Sequence, residues 1–170
     1  MEQLGVVVVA AGKGSRMRTQ ESKQYLQLAG KPILVHTLLL FQRMEQVGTI
    51  VLVTGPEDVE RCRDYVERYK LSKVEHIVAG GKERQDSVHK GLTVLKDRVQ
   101  WVMVHDGVRP FAAADRIAAC WHKAMETDAA VLAVPVKDTI KVVDSEGTIV
   151  STPDRRSLWA IQTPQAFRFS

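Results

Sequence analysis

The stretch VVAAGKGSRM, Val8–Met17, closes a β-branched run that begins at Leu4 and then breaks into two glycines threaded with cations. A continuous apolar run of this kind reads as a strand covered on both faces, the signature of an interior strand in a parallel sheet. A glycine-rich basic loop at the carboxyl end of such a strand delivers backbone N–H groups and positive charge to an anion. The loop is not a P-loop, because Lys13 is followed by Gly14 and no glycine stands five positions before Gly12. Nor is it a dinucleotide fingerprint, since Met17 occupies the third glycine position. It runs on through Lys13, Arg16, Arg18 and Lys23 without turning at once into a helix. Loops of that length in compact domains are usually functional or disordered, and a long cationic flap suits a triphosphate.

Outward from this strand, apolar runs and amphipathic stretches alternate. Pro32 opens a helix with Ile33, Leu34, Thr37, Leu38 and Phe41 on one stripe and Gly48 beyond its end. Strand Thr49–Val53, a charged helix with Val59, Cys62, Val66 and Tyr69 on one side, and strand Val74–Val78 follow. A helix near Arg84–Lys96, strand Val99–Val104, helix Ala113–Thr127 and strand Ala129–Val134 complete the series. The β-α-β-α order predicts an α/β fold, Rossmann-like, with a mainly parallel sheet and helices on both faces. Thr139–Val143 and Thr148–Thr152 flank Asp144–Gly147 and predict a β-hairpin, half polar, that projects as an arm over about 137–157.

The chain has 170 residues, 45% of them hydrophobic, which supports one domain over 1–170 with one core. Its net charge of +4 is modest, and no Lys/Arg block interleaved with aromatics points to nucleic acid. Cys62 and Cys120 have no CxxC or Cys/His spacing, so reduced thiols and a cytoplasmic setting are expected. The N-terminal apolar run is too short for a signal or membrane helix.

Five motifs stand in order: AAGKGSRM followed by SKQYLQLAGKPILVHTL, then AGGKERQDSV, VHDGVRPF, VPVKDTIK and LWAIQTPQAF. Together they resemble the 2-C-methyl-D-erythritol 4-phosphate cytidylyltransferases, which belong to the nucleotidyltransferase fold, and the likeness extends over essentially the whole chain. The resemblance implies transfer of a cytidylyl group from CTP to a polyol phosphate in isoprenoid precursor synthesis, with release of pyrophosphate and a need for Mg²⁺. It assigns CTP to Ala10, Ala11, Gly12, Gly14, Arg16, Lys23, Gly81, Ser87, Asp106 and Gly107, with Arg16 and Lys23 gripping the triphosphate as the catalytic cations. Gly80 and Gly81 would bring backbone to the cytosine edge, and Lys82 stands where an acidic residue is expected. Because an ionised phosphate is already a nucleophile, preplaced cations can carry the reaction without a Ser–His–Asp set.

Asp106 emerges at a strand end and is expected to meet the acceptor's hydroxyl or Mg²⁺, with a turn-capping Asp as the plain alternative. Arg109 and Thr163 are expected at the acceptor. His105 and His36 read as packing residues. The resemblance further implies that the arm crosses to a second subunit of a homodimer, where Thr139 and Arg155 reach the acceptor phosphate, Arg156 being the competing candidate. Family members continue beyond the position of Ser170 with a Thr-Asp segment and a late lysine. This stretch alone is therefore expected to bind CTP weakly and to turn over poorly. Ribitol 5-phosphate as the acceptor, or a nucleotide-binding module without catalysis, are the rival readings.

Overall fold

The computed structural model describes residues 4–12 and 21–169. Strand β1 (Leu4–Ala10) is followed by a 3-10 turn at Lys23–Tyr25 and a small hairpin of β2 (Gln27–Leu28) and β3 (Lys31–Pro32). Then come α1 (Ile33–Gln42), β4 (Val47–Thr54), α2 (Val59–Arg68), β5 (Val74–Ala79), α3 (Arg84–Leu95), β6 (Trp101–Asp106), α4 (Ala114–Thr127) and β7 (Ala129–Pro135). The arm carries β8 (Val142–Val143) and β9 (Ile149–Ser151), and β10 (Trp159–Arg168) returns to the sheet.

The main sheet has the order β5-β4-β1-β6-β10-β7. β5, β4, β1 and β6 pair in parallel, as the sequence predicts. β10 is the exception: it inserts antiparallel between β6 and β7. Its sequence hides it, because Gln162-Thr163-Pro164-Gln165 interrupts the apolar pattern and proline argues against an interior strand. The ladder accommodates this by an irregularity, since Ile161 pairs with Ala133 while Gln165 pairs with Val131. Gly48 falls beyond the first helix as expected, and β4 begins just before it, at Val47 rather than Thr49. The paired part of the arm is shorter than predicted, Val142 with Ser151 and Val143 with Ile149.

The strict alternation of β1 divides the interior into two halves. Val6 and Val8 join a cluster with Leu34, Leu38 and Phe41 of α1, Cys62 of α2, and Ile117 and Trp121 of α4. Val7 packs on the other face with Val51, Val53 and Leu95, against which Val9, Val88 and Leu92 also rest. Among the described residues, three helices thus cover one face and α3 covers the other.

Gly91 is what lets α3 settle there. A Cβ at this position would run into Val7 Cγ1 and come within 3.1 Å of Val53 Cγ2. Alanine gains about 1 kcal/mol over glycine in helix propensity, whereas overpacking a filled core costs about 1–3 kcal/mol. Gly91→Ala is therefore expected to lower the urea midpoint, and Gly91→Val to lower it further. A midpoint raised by Gly91→Ala would show that the layers have slack.

Candidate active site

The carboxyl ends of β1, β5 and β6 open on a cleft of about 680 Å³. Among the described residues its walls carry four cations, Lys23, Lys82, Arg84 and Arg109, against two carboxylates, Glu83 and Asp106. The cleft thus carries an excess of positive charge at the sheet's carboxyl edge. Of the residues named from the sequence, Ala10, Ala11, Gly12, Lys23, Gly81, Ser87, Asp106 and Arg109 line this cleft. Gly14 and Arg16 lie outside the described residues, with Lys13 and Arg18.

The β1 side is held by a residue the sequence reading passed over. Gln24 is buried, and its Nε2 donates to the carbonyls of Ala10 at 2.8 Å and Gly12 at 3.1 Å. This ties the loop after β1 to the turn that presents Lys23. The same turn is anchored beneath by Tyr25, whose hydroxyl lies 2.8 Å from Thr54 Oγ1. The Arg61 guanidinium sits 4.5 Å above the Tyr25 ring and 2.9 Å from Glu21. Burial pushes the Tyr25 phenol far above its ordinary pKa, so it stays protonated.

The opposite wall is the N-terminus of α3. Glu83 and Asp86 form a capping box, with the Glu83 N–H donating to Asp86 Oδ2 at 2.9 Å. Ser87 Oγ accepts the Gly81 N–H at 3.0 Å and donates to the Glu83 carbonyl at 3.2 Å. The Ser87 hydroxyl, expected to touch a ligand, lines the cleft and also braces the glycine loop. The glycines answer to the same packing. A Cβ on Gly80 would come within 2.5 Å of Ala11 Cβ and 2.7 Å of Ser87 Oγ, and one on Gly81 would strike Asp86. Lys82 faces the cleft, while Lys90 donates to the Gly80 carbonyl at 3.0 Å.

Asp106 ends β6 between two arginines. Its Oδ1 accepts from Arg84 Nη2 at 2.8 Å and Nε at 3.2 Å, and its Oδ2 accepts from Arg109 Nε at 3.1 Å. Burial alone would raise its pKa, but the hydrogen bonds and charges of Arg84 and Arg109 outweigh it and hold the carboxyl below its usual range. Arg84 belongs to a motif quoted above, yet nothing in the sequence shows that it faces Asp106 across the cleft. Arg109 also donates to Gln162 of β10.

Thr163 and Gly107, both expected at ligands, sit behind the cleft wall. Gly107 donates to the Val9 carbonyl at 2.8 Å and accepts from Thr37 Oγ1 at 2.8 Å. Thr163 is buried, its Oγ1 accepting the Asp106 N–H at 3.2 Å and lying 3.1 Å from His105 Nδ1. His105 Nε2 is 3.0 Å from the Arg109 carbonyl, which can only accept, so Nε2 carries the hydrogen. Burial lowers the imidazole's pKa, and with the hydrogen on Nε2 the unprotonated Nδ1 accepts a hydrogen bond from the Thr163 hydroxyl. His36, half-buried, is likewise satisfied by the Leu28 carbonyl at 2.6 Å.

Thr139 and Arg155 are exposed on the arm and do not line the cleft of their own chain. Arg155 donates to the Lys137 carbonyl, and Arg156 is bound to Asp154 at 2.7 Å.

Residues 4–170 match the family model of 2-C-methyl-D-erythritol 4-phosphate cytidylyltransferase. A protein of that name from Alkaliphilus metalliredigens is 47% identical over 164 residues, covering 96% of this chain and 68% of the relative. One from Halalkalibacterium halodurans is 47% identical over 165 residues, covering 97% of this chain and 72% of the relative. The crystal structure of 4-diphosphocytidyl-2C-methyl-D-erythritol synthase from Anaerococcus prevotii superposes with a TM-score of 0.83 at 31% identity, covering 98% of this chain and 70% of that one. The family match and the solved relatives place this mostly parallel sheet, with its cationic cleft between the first glycine loop and a helix N-terminus, in the nucleotidyltransferase class. The chain belongs to the 2-C-methyl-D-erythritol 4-phosphate cytidylyltransferase family.

Proposed function

We propose that the cleft binds CTP and 2-C-methyl-D-erythritol 4-phosphate and joins them, releasing pyrophosphate. The observation that carries this reading is the convergence of Lys23, the capped start of α3 and the Asp106–Arg109 pair on one cleft. The nucleoside half lies along Ala10–Gly12 and the Gly80-Gly81 loop, and Lys23, with Arg16 beyond the described residues, meets the triphosphate. An oxygen of the acceptor phosphate attacks the α-phosphorus. As that bond forms, the bond from the α-phosphorus to the bridging oxygen breaks, and pyrophosphate departs with the electron pair. No proton has to move. Lys23 serves as a cation placed in advance where charge collects. Arg109 and Asp106 hold the acceptor, the first through its charge and the second through a hydroxyl.

Among the described residues no three His, Cys, Asp or Glu side chains gather as a metal cage. Of the two cleft carboxylates, Glu83 caps α3 and Asp106 is held by the two arginines. With both Asp106 oxygens accepting from arginines, this donor set fits Mg²⁺ carried chiefly by phosphate oxygens and water, and Asp106 would join only by exchanging an arginine contact for the ion. Bound there, the ion would neutralise phosphate charge in the transition state.

The arm supports a homodimer. Val142, Val143, Ile149 and Val150 are 46–65% exposed, and Trp159 and Ile161 at the adjoining start of β10 are 56% and 55% exposed. Apolar surface of this kind marks an interaction site. A second copy covering it would bring Thr139 and Arg155 to the partner's acceptor. Sedimentation is expected to give twice the 19.0 kDa chain mass, and Val142→Asp with Ile149→Asp to give the monomer. A monomeric unaltered chain would contradict the shared site.

The test of function is pyrophosphate release. It is expected to require both CTP and 2-C-methyl-D-erythritol 4-phosphate. Equal release with ribitol 5-phosphate would overturn the choice of acceptor. As for location, no helix among the described residues is long and apolar enough to cross a membrane.

A further inference from the structure

Among the described residues, one fully buried imidazole is left unused by the mechanism. His105 has no exposed surface, and its ring stands edge-on to Phe41 with centroids 5.0 Å apart. A space-filling role beside Phe41 needs only an apolar ring. This ring instead uses both nitrogens, and each bond leads to a different element of the acceptor side. Nε2 donates to the carbonyl of Arg109, the residue whose guanidinium reaches Asp106. Nδ1 accepts from Thr163, whose oxygen in turn receives the Asp106 N–H. The turn is closed by the Arg109 N–H on the Asp106 carbonyl at 3.1 Å, and the Arg109 side chain reaches Asp106 and Gln162, while the Arg109 carbonyl is held by the imidazole. The near end of the turn is fixed by Gly107 to Val9 and Thr37, whereas beyond Arg109 the chain emerges at Phe111, 83% exposed.

We propose that His105 is a positioning residue for acceptor recognition, fixing the Arg109 turn through Nε2 and the Thr163–Asp106 contact through Nδ1. The inference rests on the reading of Arg109 as an acceptor-binding residue. Because β10 runs antiparallel beside β6, the imidazole links the strand end, the turn and the returning strand. Withdrawal of either hydrogen bond leaves a buried polar group unpaired, which the neighbouring backbone can relieve only by moving.

Two substitutions separate the two bonds. His105→Gln places an amide nitrogen near the Nε2 position and keeps the donor to Arg109. His105→Asn places an amide oxygen near Nδ1 and keeps the acceptor for Thr163, but loses the turn. With 2-C-methyl-D-erythritol 4-phosphate as the probe, His105→Asn is expected to raise the acceptor KM about tenfold, the effect of one lost buried hydrogen bond. CTP KM should stay within about twofold, and His105→Gln should recover most of the loss. Equal acceptor KM values in both variants and the unaltered protein, or a CTP KM that moves as much as the acceptor's, would overturn the proposal. Arg109→Ala is measured in parallel. If it leaves the acceptor KM unchanged, the reading of Arg109 fails; if it raises that KM while His105→Asn does not, only the role of His105 fails. Should the His105 variants not fold, long-range ¹H–¹⁵N spectra of the unaltered protein decide. The Nε2–H tautomer is expected, and an Nδ1–H tautomer would overturn the assignment.

Discussion

Replacing Lys23 with alanine is expected to lower the rate of pyrophosphate release about 10²–10³-fold, the usual loss when one preorganised group at a developing charge is removed. The turn that presents Lys23 does not depend on its side chain. Gln24 binds the Ala10 and Gly12 carbonyls, and Tyr25 is buried against Thr54. The thermal midpoint of Lys23→Ala should therefore match that of the unaltered protein, so that the loss reads as chemistry. Lys23→Arg keeps the charge but exchanges a movable point charge for a planar fork, and should restore part of the rate. A rate within threefold of normal in Lys23→Ala would remove Lys23 from the site.

Asp106→Ala should carry the second largest effect. Two arginines converge on this carboxylate, so its removal leaves Arg84 and Arg109 without the charge that orients them. Truncating one member of a buried, hydrogen-bonded ion pair costs about 2–5 kcal/mol. With the Asp106 side chain 24% exposed and the arginines at 51% and 39%, the low end of that range applies. That corresponds to a loss of roughly thirtyfold in kcat/KM for the acceptor. The pair also has a pH signature. The Asp106 pKa is held below its ordinary value, so its contribution to stability is complete above the unfolded carboxyl's pKa and is lost as pH falls through the folded one. Asp106→Asn should flatten the acid limb of the stability profile while leaving the neutral region's slope unchanged. An unaltered acid limb would mean that the arginines do not stabilise the carboxylate.

Much of the site was legible in the sequence because backbone placement alone decides it. An interior strand ending at Ala10 and another ending at Asp106 must open on the same sheet edge, and β1 and β6 are neighbours. The Gly80-Gly81 loop follows β5 by the same rule, whereas Lys23 is expected there only from the family resemblance. What the sequence does not show is which side chains spend themselves on the scaffold. Ser87, Thr163 and Gly107 belong to the right loops, yet their polar groups are occupied by Gly81, by His105 and Asp106, and by Val9 and Thr37. Gln24 and Arg84 were missed for the converse reason. Their partners lie across the cleft, and a single sequence carries no signal for such pairings. β10 escaped because Thr163-Pro164 breaks its pattern at the point where Thr163 reaches the Asp106 N–H. The arm illustrates a third case: its turn residues Asp144 and Gly147 close the turn as expected, with the Gly147 N–H on the Asp144 carbonyl at 3.1 Å, while fewer residues pair than the alternation implies.

The central claim is that the triphosphate of CTP lies between the loop after β1 and the first turn of α3, with Lys23 on its phosphates. A crystal structure with CTP and Mg²⁺ tests it most directly. Density for the phosphates within hydrogen-bonding distance of Lys23 Nζ, and for cytosine beside Gly80-Gly81, is the predicted result. A nucleotide bound elsewhere on the molecule, with Lys23 turned away from it, would contradict the account.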